Sequence, residues 1–124
     1  MAYVREWVLA LPLDAIILHG CCVGTEAEIV EVAHARQMWI VGIIPAVTDC
    51  VDEISIALCD EVIRAPPVAG DQTAQYRYCY QLMIASCDEL HAFWSGNPRT
   101  GTAIAVNTAR RYGKPVHIHR TERP

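Results

Sequence analysis

The sequence predicts an α/β protein in which helices pack on both faces of a parallel sheet, a three-layer arrangement. Three observations point there. Short, unbroken apolar runs of the kind that buried parallel strands require alternate with segments of helical periodicity. The connections between them are short and rich in glycine and proline. The 124 residues, 52% of them apolar and 19% charged, suffice for one ordinary domain and fall short of two, so residues 1–124 are expected to form a single domain.

Taken in order, Tyr3 to Leu11 has helical character and Pro12 stops it. Ala15-Ile16-Ile17-Leu18-His19 reads as the first strand, and Gly20 to Thr25 as a turn with Thr25 placed to cap the next helix. That helix, residues 26–38, carries Glu26, Glu28 and Glu31 near its electropositive start. Trp39 to Ile44 is a second β-branched run ending at Pro45. Asp49 to Val62 places Val51, Ile54, Leu58 and Val62 at helical spacing, with the acids Asp49, Asp52, Glu53, Asp60 and Glu61 on a solvated face. Arg64 to Asp71 is loop by its prolines and glycine. Thr73 is expected to cap a helix to about Ser86 with Tyr76, Tyr80, Met83 and Cys87 along one side. Glu89 to Trp94 is a third strand. Ser95 to Thr102 turns into a helix that Gly113 closes after Tyr112, and Pro115 to His119 is a fourth strand.

Composition limits the partners. Ten basic against fourteen acidic residues give a net charge of −4, which offers no bulk positive field for a nucleic-acid polymer. The charge is unevenly spread: residues 1–98 hold 4 basic and 13 acidic side chains, and residues 99–124 hold 6 basic and one acidic. A basic C-terminal fifth suits a small anion. No uncharged apolar stretch approaches the ~20 residues that cross a bilayer, and no cleavable signal follows the first apolar run, so a cytoplasmic protein without membrane attachment is expected. In that compartment Cys21, Cys22, Cys50, Cys59, Cys79 and Cys87 stay reduced and act as small apolar side chains.

The chemistry is expected in the two strand-to-helix turns. The first holds His19, Gly20, Cys21, Gly24 and Thr25, and the second holds Ser95, Gly96, Arg99, Thr100, Gly101 and Thr102. Glycine lets backbone approach a ligand, and a helix start presents unpaired N–H groups with partial positive charge. Both turns follow the carboxyl ends of strands, where open α/β sheets bind ligands. Neither turn is a P-loop, and the G-x-G-x-x-G dinucleotide pattern is absent.

The segment ILHGCCVGTEAEIVEVAHARQMWIVGIIP resembles the strand, glycine turn, helix and strand of the SLOG superfamily, which includes LOG-type phosphoribohydrolases and DNA-processing protein A. The segment LMIASCDELHAFWSGNPRTGTAIAVNTARRYGKPVHI resembles the second half of that fold, and is similar also to nucleoside deoxyribosyltransferases. Together they cover most of residues 15–119. The resemblance implies a Rossmann-like sandwich of SLOG type, in a minimal version lacking the usual first strand. It also implies a nucleotide pocket walled by Gly20, Gly24 and Thr25 on one side, and by Gly96, Gly101 and Thr102 around the phosphate. Asp88 matches a usual acidic position.

The departures from those families concern catalysis. Their glutamate lies three residues after the Gly-Thr threonine, where this chain has Ala105. The LOG-type arginine falls on Cys79 if Met83 is the methionine that follows it, and Arg77 is two positions away. With no acid, base or nucleophile at these points, the expectation is a protein that senses or sequesters a nucleotide-like anion through the two turns and the Arg99, Arg110 and Arg111 field. It needs no cofactor and forms a homo-oligomer. Two alternatives stay open. One is N-glycosidic cleavage with an acid such as Asp71 or Asp88, and the other is a module binding single-stranded DNA. His117 and His119 face one side of a strand as a candidate metal pair, but no third ligand can be named from the sequence.

Overall fold

Each predicted strand run meets a parallel neighbour. In this computed structural model residues 2–20, 25–46 and 51–120 are described. The chain forms two compact units, Met1–Pro66 and Pro67–Pro124.

The first unit contains α1 (Ala2–Leu9), β1 (Ile16–His19), α2 (Thr25–Ala35), β2 (Trp39–Ile44), α3 (Glu53–Ala57) and β3 (Glu61–Arg64). Its sheet has the order β1-β2-β3, and every pair is parallel. Strand β2 is central, and Ile40, Ile43 and Ile44 are essentially inaccessible. That is the environment for which a run of β-branched residues without polar alternation is suited. Val8, Ile17, Val30, Val32, Ala33, Met38 and Ile40 form the core between α1, α2 and the sheet. Arg36 fastens the end of α1: its Nη1 donates to the carbonyls of Val8 at 2.6 Å and Leu11 at 3.0 Å, adding a charged donor where the helix's own N–H groups run out. Helix α2 closes with Gln37 at φ 60°. The Gln37 N–H donates to His34 O at 3.0 Å and the Met38 N–H to Ala33 O at 3.0 Å, a Schellman closure with glutamine where glycine is usual.

One expectation fails here. The helix expected over 49–62 is confined to Glu53–Ala57, and Glu61–Arg64 is a strand. Two aspartates account for the difference. Asp52 caps α3, accepting from Ser55 N at 3.2 Å and Ser55 Oγ at 2.7 Å. The Asp60 carboxylate accepts from Ile40 N at 2.8 Å while its own N–H donates to Ile40 O at 2.9 Å. The chain is thereby pinned beside β2, and the next four residues add to the sheet. The apolar spacing was no buried face: Ile54 is 71% exposed and Val62 37%.

The second unit contains α4 (Gln72–Ser86), β4 (Leu90–Trp94), α5 (Gly101–Arg111) and β5 (Val116–Arg120), with β4 and β5 parallel. Asp71, not Thr73, caps α4, its side chain accepting from Ala74 N at 3.0 Å. The preceding loop is clasped by Gln75, whose Oε1 accepts from Val68 N at 2.9 Å and whose Nε2 donates to Val68 O at 2.7 Å. Helix α5 buries Ala103, Ala105, Val106, Thr108 and Ala109, and small residues on that stripe let it lie close to α4. Gly113, at φ 70°, closes α5 as expected, with the Lys114 N–H donating to Ala109 O at 2.9 Å. Lys114 Nζ then donates to Cys87 O at 2.8 Å, holding the entry to β4 beside the entry to β5.

Candidate functional site

The second glycine turn is a folded structure. Trp94 Nε1 donates to Asn97 O at 3.0 Å and to Thr100 Oγ1 at 3.1 Å. Asn97 N donates to Ser95 Oγ at 3.3 Å, and Arg99 N to Asn97 Oδ1 at 3.0 Å. Thr100 caps α5: its side chain accepts from Ala103 N and donates to Asn97 O at 3.0 Å. The Thr100 hydroxyl is thus occupied by the turn. Gly96 sits at φ 94°, a conformation that suits glycine, and a Cβ there would lie 3.4 Å from Nη1 of Arg120. Gly101 has a packing reason, since a Cβ would meet the Tyr80 hydroxyl at 2.9 Å. Arg99 is exposed in the turn and Thr102 is half-buried in the first turn of α5.

Arg110 and Arg111 are at the opposite end of this helix, which at 1.5 Å per residue is roughly 15 Å from its start. The cation beside the turn is instead Arg120, from the last position of β5, where parallel pairing sets it opposite Trp94. Sequence reasoning missed it because only the strand register reveals that neighbour.

The first turn has a different character. His19 is buried at the end of β1, and burial pushes its imidazole down to about 4. Its Nδ1 lies 3.8 Å from Glu26 Oε1, and its Nε2 lies 3.6 Å from the Cys59 sulfur. The same Glu26 oxygen accepts from Gly20 N at 2.6 Å. Thr25 is the first residue of α2 and is half-buried. Cys21 and Gly24 lie outside the described residues.

The positions tied to catalysis are also placed. Ala105 and Cys79 are buried, Arg77 and Asp88 are exposed, and Asp71 is committed to capping α4. A further group that sequence reasoning only half found lies on β4 and β5. Register pairs His91 with His117 and Phe93 with His119, and Glu89 precedes β4. The Glu89 carboxylate lies 2.8 Å from His91 Nε2 and 3.5 Å from His117 Nε2. The hydrogen bond from His91 chiefly holds Glu89 below the usual carboxylate range. Burial, and then the neighbouring imidazoles, hold His119 below the usual histidine value. Glu89, His91 and His117 can each offer a ligand atom to a metal ion. Among the described residues, no helix is long and apolar enough to cross a membrane.

Alternating strands and helices in parallel sheets define a Rossmann-like α/β protein. The X-ray structure of TM1055, a Northeast Structural Genomics Consortium target, shares this fold at TM-score 0.66 and 16% identity, over 93% of this chain and 57% of that one. The chain therefore spans little more than half the length of that neighbour, and the likeness is one of fold. No protein-family model and no curated protein matches the sequence.

Proposed function

We propose that the chain is a SLOG-type protein that binds a nucleotide or nucleotide-derived anion and seats its phosphate at the start of α5. The observation that carries this reading is the pairing of Gly96, at φ 94°, with the Arg120 guanidinium 3.4 Å from its Cβ position. That pairing sits beside a helix start where the exposed Arg99 adds a second cation. Backbone N–H groups at a helix start and two guanidiniums suit a phosphate in charge and in hydrogen-bonding geometry. The reading is confined to the second turn, because in the first a carboxylate already accepts from Gly20 N.

A role in sensing or sequestration fits the buried Ala105, which puts no acid where the resembling enzymes have one. A cytoplasmic location and self-association belong to the same proposal. β3 is an edge strand of its sheet with Val62 and Ile63 exposed, which suits pairing with another copy.

Thermal melts with a panel of nucleoside mono-, di- and triphosphates and cyclic nucleotides test the reading. At least one member is expected to raise Tm in a concentration-dependent way, and an Arg99→Ala/Arg120→Ala double variant is expected to lose that rise. No shift with any member overturns the proposal. Release of free base during the incubation would favour N-glycosidic cleavage instead.

A further inference from the structure

In a strand, alternate residues share one face. The parallel register of β4 and β5 therefore gathers Glu89, His91 and Phe93 with His117 and His119 on one side of the pair. The imidazoles of His91 and His117 stack with centroids 4.5 Å apart and planes 13° from parallel. We propose that Glu89, His91 and His117 form a binding site for a divalent transition-metal ion of the zinc class.

Geometry carries the proposal first. One donor atom from each residue can be chosen so that all lie within 4.8 Å of one another. A tetrahedral ion bonded at about 2.0–2.2 Å holds its ligands roughly 3.3 Å apart. The carboxylate meets that spacing with its two oxygens, Oε1 at 2.8 Å from His91 Nε2 and Oε2 at 3.5 Å from His117 Nε2, and rotation of the stacked rings out of parallel turns both imidazole lone pairs onto one ion. Two of the three ligands are held on directly paired strand residues, and such backbone positioning is more exact than a loop provides.

The donor chemistry selects the ion. Two imidazoles and one carboxylate suit zinc, cobalt or nickel, whereas magnesium and calcium prefer oxygen-only sets. A surrounding hydrogen bond is in place as well. His91 Nδ1 lies 3.0 Å from His119 Nε2, which can accept from the second nitrogen of a metal-bound His91, in the place a carboxylate or carbonyl ordinarily takes. The His119 ring is itself stacked on Phe93, with centroids 4.6 Å apart. Glu89 and His117 are each half exposed, so the remaining coordination positions face solvent and the ion is exchangeable. His91 lies four residues before Ser95, roughly 13 Å along the strand. The metal site and the start of α5 are therefore separate, and either can fail without the other.

The test is a cobalt(II) titration of the reduced, chelator-treated full chain, followed by zinc competition. One ion is expected to bind each chain, with visible absorption of a nitrogen- and oxygen-ligated cobalt ion and no sulfur-to-cobalt band. His91→Asn and His117→Asn are each expected to weaken binding at least tenfold, Glu89→Gln similarly, and His119→Phe about tenfold through the lost outer hydrogen bond. Should the His91 variant fail to fold, the His117 variant, at a half-exposed side chain, carries the test. The proposal is overturned by the absence of micromolar binding to the wild type, by binding unchanged in the histidine variants, or by a sulfur-to-cobalt band that places the ion on the thiols.

Discussion

The two glycine turns look alike in sequence and differ in the charged side chain that stands beside each. Each follows the carboxyl end of a strand and opens a helix. In the first, the Glu26 carboxylate accepts from Gly20 N, so the chain supplies its own anion to a donor that a ligand would otherwise use. In the second, a guanidinium stands beside Gly96, and the N–H groups of Asn97, Arg99 and Ala103 meet neutral oxygens of the turn itself. A glycine turn before a helix is therefore no anion site by itself. The charge placed beside its donors decides, and that charge comes from a carboxylate six positions on in one case and from a guanidinium on another strand in the other.

The largest test of this contrast is the protonation of His19. Burial lowers its pKa to about 4 from the ordinary 6.5, even with Glu26 at 3.8 Å and the Cys59 sulfur at 3.6 Å. The unfolded chain therefore takes up a proton at a higher pH than the folded one. Stability is full above about pH 6.5 and falls as pH drops towards about 4, with up to about 3 kcal/mol lost in that window. Urea unfolding of wild type and His19→Gln from about pH 7 to about pH 4 measures it. The variant is expected to show a much flatter dependence, and equal slopes would show that the first turn does not rest on a neutral imidazole.

Next in size is the carboxylate that accepts from Gly20 N. Gly20 is buried, and its 2.6 Å bond to Glu26 has an ionised acceptor, so Glu26→Ala is expected to cost roughly 1.5–3 kcal/mol. Glu26→Gln keeps an acceptor and is expected to retain part of that stability. Denaturant midpoints of the two variants measure the effect. A loss below about 0.5 kcal/mol, the range of ordinary surface substitutions, would remove the asymmetry between the turns.

Much of this was legible in the sequence, for reasons that also explain what was not. β1, β2, β4 and β5 were located to within a residue or two, the first two because buried strands carry an apolar run locally. Gly113 was legible as a helix stop because a left-handed closure favours glycine. β3 was hidden: all four of its residues are exposed, and only the tertiary anchor from Asp60 to Ile40 makes them a strand. The same limit applies to function. Alternation put His117 and His119 on one face, but His91 and Glu89 join them only through the register between strands separated by a helix. Arg120 reached the second turn by the same route. Local pattern finds elements, whereas groups that converge from different elements require the pairing.

The smallest expected effect separates scaffold from ligand contact within the second turn. Thr100 caps α5 and accepts from Trp94 Nε1 at 3.1 Å. Loss of a cap side chain costs about 1 kcal/mol, so Thr100→Ala is expected to lower stability by about that much, while Thr100→Ser keeps the oxygen and most of the stability. Arg99 is exposed and its side chain caps nothing, so Arg99→Ala is expected to change stability by less than about 0.5 kcal/mol. Paired urea titrations read the stabilities, and the nucleotide-induced shift in Tm reads binding. If Thr100 holds the turn and Arg99 meets the phosphate, the first substitution moves mainly the unfolding midpoint and the second mainly the ligand response. The reverse pattern would make the threonine the contact and leave the arginine as surface charge.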